Sequence, residues 1–394
     1  MHRLAWVLAG AALAFVGVGP AAADDTIRIG IINPYSGQFA DTATQMDNAI
    51  KLYVKQHGDT VAGKKLEFIR KDTGGIAPDI AKRLAQELIV RDHADILTGF
   101  DLTPNALAAG TVSAEAKKFM VVMNAATAII TTKSPYMART SSTTPQINQT
   151  LGTWAVKNGL KRIYSMVSDY GPGIDAEGAF HTGVKEGGGE IVGSVRFPVA
   201  NPDFSAFVQR ALDSQPDAIY IWIPGGAQPA AVGKALAERG VDTRKVRVLG
   251  QDVLSDDSVL KSLGELALGI TTASIYNYTH ESAMNKTFVA AYRADYNRNP
   301  DIFSIGGYDG MHLIYEVLKK SGGNTDGEAL IAAAKGMKWE SPRGPIMIDP
   351  ETRDIIQTIY ISRVEKVGDA FHNVEIDKVE NVKDPVKERM KHGN

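Results

Sequence analysis

The chain has 394 residues, no cysteine and a formal net charge of −2. The lack of cysteine excludes disulfides, thiolate metal sites and cysteine catalysis. The slight acidic excess argues against nucleic acid or an anionic membrane surface as the partner. A chain of this length exceeds what one hydrophobic core usually holds, so we expect two domains.

The N-terminus has the pattern of a secretory signal peptide. Residues 1–3 are a short basic start, residues 4–18 are apolar, and residues 21–23 are three alanines that suit a cleavage site. A membrane anchor is the alternative, but the apolar run is shorter than the roughly 20 residues that a spanning helix needs. We therefore predict that residues 1–23 are removed and that the mature chain works in the periplasm.

Strand and helix patterns alternate along the first part of the mature chain. Alternating or β-branched segments predict strands, and apolar residues at helical spacing predict helices. The predicted strands are 26–33, 65–72, 94–100 and 119–123, and the predicted helices are 41–56, 76–91 and 104–118. This order predicts a parallel sheet with helices on both faces.

The alternation restarts after Pro145. The predicted strands are 162–169, 190–199, 217–224, 245–250 and 267–274, and the predicted helices are 146–158, 175–185, 204–212, 228–239, 282–298, 305–320 and 325–334. Two short strand patterns, 344–349 and 357–364, precede a charged run, 378–391, which we interpret as a solvated face. No low-complexity linker separates the two sets, so we expect an α/β protein of two doubly wound, Rossmann-like lobes that share a hinge.

Loops after the predicted strands carry hydroxyls, helix starts and aromatic rings. They are residues 33–37, 100–104, 124–127, 169–173, 224–226 and 250–252. Ligands of open α/β sheets bind beyond the carboxyl ends of the strands. These groups suit a small molecule with an anionic part and an apolar part. In residues 124–127, Asn-Ala-Ala-Thr, the small side chains would let a ligand approach the backbone.

Motifs of catalysis and of cofactor binding are missing from the sequence. Residues 72–74, Asp-Thr-Gly, match the aspartic-protease tripeptide, but it occurs once and that chemistry needs two carboxylates. The sequence has no nucleotide-binding glycine motif, no G-x-S-x-G and no H-x-x-x-H. We therefore predict a protein that is not an enzyme and that needs no cofactor or metal. A secreted α/β hydrolase is the alternative from another class.

The order of these segments resembles the periplasmic solute-binding proteins of the leucine/isoleucine/valine type, which are receptors of ABC importers. Four stretches carry the resemblance: IRIGIINPYSGQFA at residues 27–40, NAAT at 124–127, DYG at 169–171 and GGYD at 306–309. The resemblance implies the type I periplasmic binding protein fold, with two lobes that close on a ligand about a hinge of three segments. Membrane permease and ATPase subunits would be the partners.

The resemblance also implies lobe boundaries. Residues 24–143 and 275–350 would form the first lobe, and residues 144–274 and 351–394 the second. We expect a monomer that binds a small molecule and no nucleic acid. A sensory subunit that presents its ligand to a membrane receptor would have the same form, so the sequence does not separate it from an importer receptor.

The family's carboxylate contacts match named positions in this chain. In the family, a hydroxyl and the backbone of the Ala-Ala-Thr loop hold the ligand carboxylate. The matching residues are Thr103, Ala125, Ala126 and Thr127. A tyrosine of the second lobe matches Tyr170.

The ammonium contact of the family departs from its usual residue. A glutamate holds that position in the family, and Asp252 stands there in this chain. If Asp252 pairs with an ammonium group, the ligand is a branched-chain or other aliphatic amino acid. If it does not reach, the ligand is an amine-free acid such as an aromatic carboxylate. Tyr35, Phe100, Tyr170 and Phe303 would then give the pocket an aromatic lining.

Overall fold

The computed structural model describes residues 26–391, apart from the side chains of Ser258 and Ser262. The predicted signal peptide, residues 1–23, lies outside the described residues. No helix of the described chain is long and apolar enough to cross a membrane.

The first sheet has six strands. In spatial order they are Thr60–Val61, Lys64–Asp72, Thr26–Asn33, Ile96–Gly99, Phe119–Val122 and Met137–Arg139. All pairs are parallel except the short first one. The helices that cover this sheet are Ala40–His57, Pro78–Val90, Thr103–Ala116, Ala283–Tyr296, Ile302–Lys320 and Gly327–Ala334. We call the sheet and these helices the first lobe.

The second sheet has nine strands. In spatial order eight of them are Lys338–Ser341, Gly344–Ile348, Ile355–Val367, Thr271–Ser274, Arg247–Gln251, Ala218–Trp222, Arg162–Ser168 and Glu190–Phe197, and Ala370–Val382 pairs with Ile355–Val367. Its helices are Thr144–Lys157, Gly171–Glu186, Phe204–Asp213, Gln228–Glu238, Asp257–Leu263 and Pro385–Lys391. We call this set the second lobe.

Both sheets have the doubly wound order in which the first strand lies inside the sheet. Thr26–Asn33 lies between Lys64–Asp72 and Ile96–Gly99, and Arg162–Ser168 lies between Glu190–Phe197 and Ala218–Trp222. At such a point the connections leave on opposite faces of the sheet, and a crevice opens beyond the strand ends. The predicted fold class, two doubly wound α/β lobes, is confirmed.

The chain passes between the lobes three times. The first two passages follow Met137–Arg139 and Thr271–Ser274, and the third lies between the helix Gly327–Ala334 and the strand Lys338–Ser341. After the third passage, Gly344–Ile348 pairs with Ile355–Val367 of the second sheet. In the same region Ser341 donates a hydrogen bond to Asp309 in the first lobe, at 2.9 Å. The residue at which each lobe ends therefore stays a prediction.

The C-terminal region differs from its prediction. The strand pattern at 357–364 belongs to the longer strand Ile355–Val367, which pairs with Ala370–Val382. The charged run, 378–391, enters this strand and the helix Pro385–Lys391 instead of forming only a solvated face. Lys387 is buried and donates a hydrogen bond to Asp354. Asp354 is a buried counter-ion for Lys387, and the sequence pattern does not reveal this pair. The pair explains why Lys387 is buried although it lies in the charged run.

Candidate functional site

A cleft lies between the two lobes at the carboxyl ends of their parallel strands. Its cavity has a volume of ≈ 70 Å³. Six predicted residues line it: Thr103, Ala125, Ala126, Tyr170, Asp252 and Phe303. The other lining residues are Asp101, Leu102, Asn124, Ser142, Thr144, Ile147, Pro172, Trp222, Ile223, Pro224, Gln251, Val253, Ile275 and Ile302.

Thr127 lies directly behind the lining residues. Its side chain is buried, and its Oγ1 donates a hydrogen bond to Oγ1 of Thr103 at 3.1 Å. Thr103 lines the cleft. Thr127 therefore orients the hydroxyl of Thr103, in addition to any contact that it makes with a ligand.

Tyr35 and Phe100 do not line the cleft. The hydroxyl of Tyr35 donates to Oδ1 of Asp47 at 3.4 Å, and its ring packs against the core. Phe100 is 1 % exposed and belongs to a buried cluster that includes Leu97. It has a positive φ of 61°, and the next residue, Asp101, lines the cleft in its place. Of the four residues predicted to form an aromatic lining, Tyr170 and Phe303 line the cleft, and Tyr35 and Phe100 do not.

Three helices begin at the cleft. Thr103–Ala116 begins with Thr103, Gly171–Glu186 follows Tyr170, and Ile302–Lys320 begins with Ile302. The first-turn N–H groups of a helix have no partner inside the helix, and its N-terminus carries a partial positive charge. Such ends favour a bound anion, so the cleft suits a ligand that carries a carboxylate.

A buried arginine fixes the Ala-Ala-Thr loop. Nη1 of Arg139 donates to the carbonyl oxygens of Ala125 at 3.1 Å and Thr127 at 2.9 Å. Its Nε and Nη2 donate to Oδ1 of Asp354 at 3.0 and 2.8 Å. The loop backbone is therefore held from behind, while its front lines the cleft. No sequence motif marks Arg139, so its role could not be predicted.

Trp222 and Thr144 are two lining residues that the sequence reasoning missed. Nε1 of Trp222 and Oγ1 of Thr144 are buried and have no hydrogen-bond partner among the described residues. The Trp222 ring lies 5.8 Å from the ring of Tyr170, between centroids. The place of Trp222 at the end of the strand Ala218–Trp222 was a usable signal in the sequence. Both groups are available to a ligand.

Two carboxyl groups in the cleft have no basic partner. Oδ2 of Asp252 accepts from Oγ of Ser274 at 3.0 Å, and Oδ1 of Asp101 accepts from Nδ2 of Asn124 at 2.7 Å. Within the described residues, neither aspartate forms an ion pair with lysine or arginine. Asp252 is partly accessible to the cavity but lies deep in the protein, and this desolvation raises its pKa to about 7. Desolvation raises the pKa of Asp101 to about 6.

The cleft contains a protonated phenol, and the described residues contain no candidate metal cluster. Among residues 26–391, no group of three or more His, Asp or Glu side chains could hold a metal ion. Burial raises the pKa of Tyr170 well above its usual value, so its phenol stays protonated and can donate a hydrogen bond. The arrangement is one of donors, acceptors and rings, which is suited to binding.

Comparisons with known proteins agree with this architecture. The family profile described as periplasmic binding protein matches residues 26–369. A Leu/Ile/Val-binding protein homolog 6 from Brucella melitensis is 39% identical over 368 residues, which cover 93% of this chain and 94% of that protein.

Two solved structures are similar over nearly their whole length. One is a solute-binding protein of an ABC transporter from Rhodopseudomonas palustris BisB5, in complex with 3,4-dihydroxybenzoic acid. It has 52% identity and a TM-score of 0.89, and the match covers 92% of this chain and 99% of that one. The other, from R. palustris HaA2 in complex with p-hydroxybenzoic acid, has 38% identity and a TM-score of 0.88, with the same coverage. The chain therefore belongs to the periplasmic binding protein family, as a two-lobed solute-binding protein of an ABC transporter.

Proposed function

We propose that this protein captures a hydroxylated aromatic carboxylate in the periplasm and delivers it to the permease of an ABC importer. One observation carries the proposal: the cleft combines three aromatic side chains, Tyr170, Trp222 and Phe303, with the starts of two helices, Thr103–Ala116 and Gly171–Glu186, that no side chain of the described residues caps. The rings suit a flat apolar ligand, and the helix starts suit its carboxylate. The protein acts as a receptor and not as an enzyme.

The carboxylate would bind at the start of the helix Thr103–Ala116. The hydroxyl of Thr103, held by Thr127, and the backbone of Ala125 and Ala126 surround this position. Arg139 fixes the loop without lining the cleft. The ligand charge is then met by hydrogen bonds and helix dipoles instead of a direct ion pair.

Asp252 favours a ring hydroxyl over an ammonium group. Its raised pKa, about 7, indicates surroundings that disfavour a charged group. A phenolic hydroxyl can donate to this carboxyl without bringing a charge into the cleft. Trp222 Nε1 and Thr144 Oγ1 lack partners and can donate to ligand oxygens. An unmet buried donor costs about 1–3 kcal/mol, so ligands with several oxygens gain from these groups.

The benzoate-bound relatives support the same class of ligand. The R. palustris BisB5 protein, at 52% identity, was solved with 3,4-dihydroxybenzoic acid. An aliphatic amino acid is the second candidate, because Asp252 lines the cleft and the Brucella relatives are described as Leu/Ile/Val-binding protein homologues. In that case Asp252 would ionise and pair with the ammonium group.

Closure of the two lobes would trap the ligand. The first lobe supplies Thr103 and Phe303, and the second supplies Tyr170, Trp222 and Asp252. A ligand that contacts both lobes stabilises the closed state relative to the open one. We propose that the closed, loaded receptor is the form that the permease recognises.

A thermal-shift experiment on the mature protein, residues 24–394, tests the proposal. After removal of any carried-over ligand, the protein is mixed with benzoate, 4-hydroxybenzoate, 3,4-dihydroxybenzoate, leucine, isoleucine or valine. A ligand at about 100 times its Kd adds about 2.7 kcal/mol of stability, which raises the melting temperature measurably. We expect the rise with the hydroxybenzoates, and chromatography should recover them chemically unchanged. A rise with the amino acids alone would overturn the proposal.

The variant Asp252→Asn separates the two candidates. An asparagine oxygen still accepts a hydrogen bond from a ring hydroxyl, so we expect the affinity for hydroxybenzoates to change by less than about tenfold. An ammonium group would lose the carboxylate that pairs with it, and the loss of affinity would be much larger.

A further inference from the structure

A second chamber adjoins the ligand cleft between the lobes. Its cavity has a volume of ≈ 420 Å³. Four residues line both spaces and so form the partition: Asp252, Val253, Ile302 and Phe303. The side chains of Phe303 and Val253 in this partition lie close to Gly225. A Cβ placed on Gly225 would lie 3.3 Å from Cζ of Phe303 and 3.6 Å from Cγ1 of Val253.

The chamber is lined mainly by polar groups. Asp41 and Arg298 line it but are paired with each other, with N–O distances of 2.7 and 3.2 Å. Asp252 and Asp301 line it and form no ion pair with lysine or arginine in the part of the chain that the structure describes. Oδ1 of Asp301 caps the helix Ile302–Lys320 through the backbone N–H of Ser304, at 2.8 Å. The chamber therefore contains two carboxyl groups that lack a basic ion-pair partner among the described residues.

Ser362 gives an independent sign that something polar belongs in the chamber. Its side chain is 1% exposed and lines the chamber, and its Oγ has no hydrogen-bond partner among the described residues. Buried hydroxyls are normally satisfied, so a lone one beside a cavity indicates a missing partner. Desolvation also raises the pKa of Asp301 to about 6, which a nearby donor would relieve.

We propose that the cleft and the chamber form one site in two parts, which takes an aromatic carboxylate with a long polar substituent on its ring. This inference rests on the proposed function and extends it. The carboxylate and the ring occupy the cleft, and the substituent passes Phe303 into the chamber. Its end carries hydrogen-bond donors, either a hydroxyl or an ammonium group, which meet Asp301 and Ser362.

A matched ligand series tests the inference by isothermal titration calorimetry on the mature protein. The probes are 4-hydroxybenzoate, para-hydroxypropyl-benzoate, para-aminopropyl-benzoate and para-butylbenzoate. The hydroxyl and amine arms distinguish the two kinds of donor. We expect at least one of the polar-ended acids to bind about tenfold or more tightly than para-butylbenzoate, which has similar length but no donor.

Two variants test whether the affinity advantage of the polar-ended acids arises in the chamber. Asp301→Asn keeps an oxygen for the helix cap, and Ser362→Ala removes one hydroxyl. Both should reduce the advantage of the polar-ended acid, and Ser362→Ala should leave the affinity for 4-hydroxybenzoate within about twofold. Asp326→Asn is the matched control, because Asp326 also caps a helix, Gly327–Ala334, and does not line the chamber.

The outcomes separate this inference from the proposed function. Binding of 4-hydroxybenzoate with no gain from either polar end overturns the two-part site and leaves the proposed function standing. Binding of none of the aromatic acids overturns both. If Asp301→Asn weakens the binding of short and long acids equally, Asp301 acts only through the stability of the fold. That result would also overturn the two-part site.

Discussion

The backbone N–H of Ala128 donates a hydrogen bond to Oδ2 of Asp175 at 3.0 Å, and this bond joins the two lobes. Ala128 follows the Ala-Ala-Thr loop of the first lobe, and Asp175 lies on the helix Gly171–Glu186 of the second. The lobes also meet at Gly226 and Gln38. A Cβ placed on Gly226 would lie only 2.6 Å from the carbonyl oxygen of Gln38. The structure therefore describes a closed arrangement of the cleft.

Asp175 should control ligand affinity without touching the ligand, since it does not line the cleft. We expect Asp175→Ala to weaken binding about five- to tenfold, because closure would lose one hydrogen bond worth about 1 kcal/mol. Asp175→Asn keeps an acceptor oxygen and should bind nearly as tightly as the wild type. Calorimetry measures the affinities, and small-angle scattering with and without ligand measures closure.

Asp169→Ala is the control for this prediction, because Asp169 is exposed in the same segment. Equal affinities of the alanine variant at position 175 and the wild type would show that the bond to Ala128 adds nothing to closure.

Thr127 and Thr103 should act as a pair at the carboxylate. Thr127→Ala removes the donor to Oγ1 of Thr103, and we expect ligand binding to weaken by roughly 1–3 kcal/mol. Thr127→Ser keeps a hydroxyl and should retain most of the affinity. Calorimetry at one pH with both variants checks the prediction, and an unchanged affinity in Thr127→Ala would remove Thr127 from the site.

The sequence predicted the loops of the cleft well because strand ends are local features. Thr103, Ala125, Tyr170 and Asp252 follow apolar strands, and parallel strands bring their carboxyl ends to one edge of a sheet. The spacing of strands and helices was therefore enough to place Thr103 with Ala125 at one sheet edge and Tyr170 with Asp252 at another. The resemblance to a known family indicated that these edges of the two sheets face each other across one cleft.

Side-chain direction within a loop could not be predicted in the same way. Phe100 and Asp101 are neighbours, yet the first is buried in the core and the second lines the cleft. The backbone of Phe100, with φ of 61°, decides this, and nothing in the sequence marks a non-glycine residue for that conformation. Arg139 was missed for a related reason, because its partner, Asp354, is distant in sequence.

The buried pair of Arg139 and Asp354 should be essential for stability. Both side chains are almost fully buried, and Asp354 also accepts from Lys387. We expect Arg139→Met to lower the free energy of unfolding by about 3–5 kcal/mol, because it leaves a buried carboxylate with one partner fewer. Urea unfolding followed by circular dichroism measures the change.

A surface pair gives the comparison for Arg139. Arg162 and Glu190 form an exposed ion pair at 3.3 Å, so Arg162→Ala should cost less than about 1 kcal/mol. Similar losses in the two arginine variants would contradict a special role for the pair behind the Ala-Ala-Thr loop.

Asp252 should make the ligand-free protein less stable as the pH rises. Its pKa is raised from 3.8 to about 7 in the folded protein, so between these values the folded state binds a proton that the unfolded state has released. The free energy of unfolding then falls with increasing pH across this window and levels off above about pH 7. Asp101 and Asp301, whose pKa values are about 6, contribute in the lower part of the window.

The variant Asp252→Asn isolates this contribution. Asparagine does not titrate, so the difference in unfolding free energy between variant and wild type should change with pH, mainly between pH 4 and 7, in favour of the variant. Urea unfolding at half-unit pH steps measures the difference. A difference that is independent of pH would mean that Asp252 has an ordinary pKa in the folded protein. The argument that its surroundings favour a neutral hydroxyl over an ammonium group would then lose its basis.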